Sequence, residues 1–163
     1  MLIWISRGAL AAGLLATPAF AQTAEEVQGF VAAEVRRDGC TLRDFNVVHQ
    51  GALPGHDRPV VVATYGHVGC GGGNNRTATF GVFTRAGKRV RELPLAEPAA
   101  LPRVVERVTV TGPRIAVAGA DFATDDALCC PSLRRQAEFV VRAGRLVTAP
   151  PVPEPAPRAA PRR

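Results

Sequence analysis

Three chain reversals constrain this sequence more than any other feature. Arg85-Ala86-Gly87-Lys88, Thr111-Gly112-Pro113 and Ala143-Gly144 each separate two short apolar runs by only a few residues. A parallel crossover needs a dozen or more, so each join can only fold the chain back on itself. The flanking runs are rich in Val, Thr and Phe and are punctuated by Gly and Pro, which is a strand signature. In order, the candidate strands are Phe45 to Gln50, Pro59 to His67, Thr77 to Thr84, Arg89 to Leu93, Val104 to Val110, Arg114 to Ala118, Gln136 to Arg142 and Arg145 to Val147. They predict an antiparallel meander. Between Leu93 and Pro102 the chain carries three prolines, so that stretch reads as an irregular crossing loop.

One helix precedes the strands. Thr23 followed by Glu26 is a capping-box spacing, in which hydroxyl and carboxylate each accept a backbone N–H that the first turn leaves unpaired. Val27, Phe30, Val31 and Val35 then form a single apolar stripe, and Gly39 offers a left-handed stop, predicting a helix over residues 24 to 38. So narrow a stripe can be buried only against one face of a sheet. The expected fold class is α+β: an N-terminal helix packed on an antiparallel β-meander sheet, stapled by disulfides.

The two ends read differently from the middle. Residues 1–21 have the form of a signal peptide, with Arg7 as the positive n-region, Gly8 to Ala16 as the apolar stretch and Ala19-Phe20-Ala21 as a small-x-small cleavage site. The stretch after Arg7 is shorter than the roughly 20 residues of a spanning helix, so cleavage rather than a retained membrane anchor is expected. The leader type fits a bacterial envelope and a periplasmic or secreted destination. No cysteine stands at its end to receive a lipid. Residues 149–163 alternate Pro with Ala and Arg, too few apolar side chains to offset ordering entropy, and read as a disordered tail. Residues 22–148 then form a single domain, large enough for a hydrophobic core of its own.

Charge narrows the partners. The 163 residues carry 20 basic and 14 acidic side chains for a net +6, and Lys88 is the only lysine. The arginines are scattered among acids and aromatics make up 6% of the chain, which is not the footprint of a nucleic-acid binder. Attraction to anionic envelope polymers is compatible with such a surface, because the guanidinium fork suits carboxylates and phosphates.

Four cysteines carry the main chemical constellation. Cys40, Cys70, Cys129 and Cys130 are an even number in an exported chain, which makes disulfides the default. Adjacent residues in extended chain point to opposite sides, so Cys129 and Cys130 are expected to reach different partners, one meeting Cys40 and the other Cys70. Two other uses of these residues compete. His67-x-x-Cys70 has a chelating spacing that Cys129 and Cys130 would complete as a four-ligand zinc site. Alternatively, Cys70 is a nucleophile with His67 as its base, an element with a superficial similarity to the His-Gly-Cys of envelope L,D-transpeptidases; the arginine those enzymes carry just after the cysteine is missing here. The default reading leaves no catalytic residue, no bound metal and no cofactor.

The remaining motifs are weaker. Gly69 to Asn75 lacks the Gly-Lys-Ser/Thr of a phosphate-binding loop and is followed by strand, so its glycines read as loop conformers beside Cys70. Asn75-Arg76-Thr77 matches a glycosylation acceptor by composition alone. His49 and His56 read as surface, and Asp121, Asp125 and Asp126 as turn caps rather than a calcium loop.

Asp126-Ala127-Leu128-Cys129-Cys130-Pro131-Ser132, followed by Arg134 and Arg135 and a strand ending Gly144-Arg145-Leu146-Val147, resembles the Asp-x-x-Cys-Cys-Pro-Ser/Thr segment of the LppP/LprE-type secreted lipoproteins. The resemblance implies a small envelope protein of unknown function and brings no active site with it. Taken together, these readings predict a non-enzymatic envelope protein that binds another protein or an anionic glycan through its sheet face and the loops around Cys70 and Cys129.

Overall fold

The computed structural model describes residues 23–70, 76–127 and 130–150. Residues 1–22, which hold the expected signal peptide, residues 71–75 of the Gly-rich loop, Leu128 and Cys129, and all but the first two residues of the expected tail lie outside that set. Helix α1 spans Ala24–Arg37, and eight strands follow: β1 Thr41–Gly51, β2 Val60–Val68, β3 Arg76–Ala86, β4 Arg89–Glu92, β5 Val104–Thr111, β6 Arg114–Asp121, β7 Leu133–Arg142 and β8 Arg145–Thr148.

Helix α1 is fixed at both ends by the devices its sequence announces. The Thr23 hydroxyl accepts from the Glu26 N–H and the Glu26 carboxylate accepts from the Thr23 N–H, closing the capping box. At the other end Gly39 takes φ 72°, a conformation glycine adopts without a Cβ penalty. There the Gly39 N–H donates to Arg36 O and the Cys40 N–H to Val35 O. This paired pattern satisfies the last carbonyls and turns the chain sharply into β1. Cys40 therefore enters the sheet at a position set by the helix cap.

The fold differs from the expected α+β meander in a definite way. The strands form two four-stranded antiparallel sheets, β1-β2-β3-β4 and β5-β6-β7-β8, in place of one. Among the described residues the protein is mostly β, with one α-helix of 14 residues. Each sheet is itself a meander, so every short turn reverses the chain as its length demands. The break lies at the proline-rich crossing, where Leu93 still donates its N–H to Val82 O of the first sheet. Two residues on, Leu95 pairs in parallel with Leu146 of β8 in the second. A proline removes a ladder donor, and three of them in ten residues end one sheet before the next begins.

Three layers result: helix, first sheet, second sheet. The apolar run Val60-Val61-Val62-Ala63 is buried throughout because β2 has a layer on each side. Val60 and Val62 face the second sheet with Phe80, Val82, Ile115, Val117, Phe139 and Leu146. Val61 and Ala63 face the helix with Val27, Val31, Val35 and Phe83. The Phe80 and Phe139 rings sit 5.9 Å apart between the sheets, and the Phe30 and Phe83 rings meet edge-on at 6.1 Å beneath the helix. The far face of the second sheet carries Arg107, Thr109, Gln136 and Glu138 and has no layer over it among the described residues.

Candidate functional site

Three connections gather at one end of this sandwich. The β1–β2 loop, the β3–β4 turn and the β7–β8 turn meet around a cleft of about 410 Å³ lined by Gly55, His56, Arg58, Thr84, Arg91 and Gly144. A Cβ on Gly55 would come within 2.8 Å of Val141 O, so the loop can approach β7 this closely only because residue 55 is glycine. A second cleft beside it shares Arg58 and adds Arg85 and Lys88. Arg89 pairs with Ala86 across the β3–β4 turn, and Arg142 with Arg145 across the β7–β8 turn.

Hydrogen bonds give this end a fixed shape. Arg58 donates from Nη1 to Arg85 O at 2.7 Å. His56, whose side chain is 9% exposed, lies with Nε2 3.3 Å from the Thr84 hydroxyl and Nδ1 3.7 Å from the Asp57 carboxylate. Thr84 in turn donates to Pro59 O. Arg85 is held by Glu26 of the helix, whose carboxyl is drawn below its usual range, first by that guanidinium and then by the Thr23 N–H. The basic residues that are scattered in sequence are thus partly assembled by the fold: Arg58, Arg85, Lys88 and Arg91 line the two clefts, and Arg89, Arg142 and Arg145 stand in the hairpins beside them.

Cys40 and Cys70 sit at the opposite end, where the expected pairing is corrected. Cys40 is bonded to Cys70, with their Cα atoms 4.4 Å apart, so neither bridges to the Cys129-Cys130 doublet as the sequence reading expected. Cys130 is itself disulfide-bonded. Alternation of side chains along the doublet does not decide the pairing, because Cys40 and Cys70 are already placed side by side by other elements. The helix cap already delivers Cys40 to the start of β1, and the pairing of Thr41 with Val68 brings the end of β2 alongside it. A disulfide of this kind fits an oxidising, extracytoplasmic environment.

His67 does lie beside Cys70, its Nδ1 3.1 Å from the sulfur. Of the zinc set His67, Cys70, Cys129 and Cys130, the structure joins the first two and adds Cys40 to them: the ligand atoms of Cys40, His67 and Cys70 lie within 4.8 Å of one another. As a catalytic pair His67 and Cys70 are in reach, but the Cys70 sulfur is bonded to Cys40 and carries no thiol in this state.

The aspartates act as loop anchors. Asp126 accepts from the backbone N–H groups of Ala123 and Ser132, each at 2.7 Å, which lowers its pKa. Asp121 accepts from Arg135 and from the Arg103 N–H, which holds it below the usual carboxylate range. His49 lies against Ala52 O within the β1–β2 connection.

One feature escaped the sequence reading altogether. Glu92, at the end of β4, pairs with Phe83 and therefore stands on the helix-facing side of the first sheet. Much of its side chain is exposed, but its Oε1 lies only 2.8 Å from where a Cβ on Gly81 would be. Loss of water around the carboxyl, reinforced by repulsion from Glu34, pushes its pKa up to about 7. Tyr65 nearby is raised as well, by burial and then by Glu92. Both line an apolar cleft of about 430 Å³ with Phe80, Leu95, Leu101 and Leu146. A glutamate between Arg91 and Leu93 at a strand end gives no sign of this in sequence; the glycine opposite it creates the space.

Compared with known proteins, the chain matches no family model, no curated protein and no solved structure.

Proposed function

We propose that this is a non-enzymatic binding module of the periplasm or the secreted fraction, which engages an anionic envelope glycan through the arginine-rich turn end of its sandwich. The observation that carries the reading is that Arg58, Arg85, Lys88 and Arg91 line two adjoining clefts on which Asp57 is the one acid, with Arg89, Arg142 and Arg145 in the hairpins beside them. Planar guanidinium groups grip carboxylate or sulfate oxygens two at a time, and a rigid strand framework holds them without a large ordering cost. Both clefts are open to solvent, which suits a polymer lying across them more than a small molecule sealed inside. The binding surface thus moves from the loops around Cys70 and Cys129 to the other end of the molecule.

Isothermal titration with a uronic-acid or sulfated octasaccharide tests this. The double variant Arg58→Ala/Arg91→Ala is expected to lose about 1.5 kcal/mol, about a tenfold drop in affinity, and binding should weaken steeply with added salt. Arg134→Ala, whose guanidinium pairs with Glu106 on a different part of the second sheet, should bind as the parent does. Equal losses in both variants, or affinity indifferent to salt, would remove the proposal.

A further inference from the structure

Among the described residues, the group of metal-ligating side chains that converges is Cys40, His67 and Cys70. Three separate features of the fold bring them together. The helix cap sets Cys40, the β1–β2 pairing sets the height of β2, and the two residues between His67 and Cys70 bend back through Gly69 at φ 80°. Cys40 is 8% exposed and packs with Val35 and Ala63, whereas His67 and Cys70 are half-buried. The imidazole already points its Nδ1 at the sulfur of Cys70.

We propose that reduction of the Cys40–Cys70 disulfide converts this corner into a three-ligand site for a thiophilic divalent cation of the zinc class. The reductant is a thiol or dithiol: two equivalents of R–SH transfer two electrons and two protons to the disulfide, which becomes two protein thiols, and leave as R–S–S–R. The cation then displaces both thiol protons and is held by two thiolates and the neutral Nδ1 of His67. A tetrahedral zinc with Zn–S of about 2.3 Å and Zn–N of about 2.0 Å places sulfur and nitrogen about 3.5 Å apart, a small opening from the present 3.1 Å. The half-buried side of the site leaves the fourth position to water or an exogenous ligand. Such a site differs from one built on Cys129 and Cys130, since it needs neither. It is also independent of the glycan reading, which concerns the opposite end of the sandwich.

The test uses the chain carrying Cys129→Ser/Cys130→Ser, so that Cys40 and Cys70 are the only sulfur ligands from cysteine. The protein is reduced with a water-soluble phosphine and titrated with Co²⁺ as a spectroscopic stand-in for zinc. One Co²⁺ per chain is expected, with a thiolate-to-cobalt band in the near ultraviolet that Zn²⁺ abolishes. Cys40→Ser should eliminate the band, and His67→Ala should weaken binding at least tenfold. Far-ultraviolet circular dichroism follows each sample. A reduced chain that loses its sheet signal and does not regain it with metal overturns the proposal, as does an absent band. Binding that survives His67→Ala unchanged, or that requires Cys129 and Cys130, overturns it equally.

Discussion

Replacing Glu92 with Gln gives the sharpest check on how the layers of this fold press on one another. The Glu92 carboxyl is raised from an ordinary 4.5 to about 7. The folded state therefore binds the proton more tightly than the unfolded chain, and between those two values it holds more protons than the unfolded chain does. Stability must fall as pH rises through that window. The full shift would correspond to about 3.4 kcal/mol, but a side chain that keeps much of its surface in water is screened, and about 1–2 kcal/mol is the appropriate figure. Below pH 4.5 the carboxyl is protonated in both states and nothing is lost; above pH 7 the loss is complete. Glu92→Gln is isosteric and permanently neutral. Urea unfolding at pH 4.5 and pH 8 should show the variant matching the parent at the lower pH and exceeding it by about 1–2 kcal/mol at the higher. A variant-minus-parent difference that stays constant across that range would refute the argument, because it would place the carboxyl in an ordinary aqueous setting.

Other perturbations probe separate parts of the structure. In Gly119→Ala the new Cβ would fall 2.0 Å from Val104 O, at the bulge where β5 and β6 slip register. Backbone cannot yield cheaply there, and thermal melts should report a loss of about 3 kcal/mol, whereas Gly29→Ala, on an open helix surface, should cost nothing. The double variant Cys40→Ser/Cys70→Ser opens a loop of sequence separation 30 and should destabilise by about 3–4 kcal/mol in urea unfolding. Asp126 holds the Ala123 and Ser132 amides with a depressed pKa, so this loop closure is fully present above the ordinary carboxyl value of 3.8 and is lost as pH falls through the lower folded value. Hydrogen exchange at Ser132 should therefore be fast in Asp126→Ala at any pH, and in the parent only in acid.

The local structure was largely written in the sequence, and the assembly was not. Thr23, Glu26 and Gly39 announced both ends of the helix because caps are satisfied within a few residues. Gly87, Gly112 and Gly144 announced three reversals for the same reason. Nothing local says how many sheets eight antiparallel strands will form; that depends on whether Pro94, Pro98 and Pro102 interrupt a ladder or merely bend it. Val60 to Ala63 carried the one available hint, since four consecutive buried residues require a layer on both faces. The cysteine pairing was misread because spacing along the chain is silent about which strand ends lie side by side. The basic end was hidden for a similar reason: Arg58 and Arg91 are far apart in sequence and line one cleft only once the turns are folded to one side.

The central claim is that the turn end of the sandwich is the binding surface. Amide chemical-shift mapping of the ¹⁵N-labelled protein during titration with the anionic octasaccharide locates the contact directly. Shifts concentrated on residues 55–58, 86–91 and 142–145, with those around Cys40 and Cys70 unmoved, are the expected result. Shifts confined to the disulfide end, or spread evenly over every exposed arginine, would contradict it.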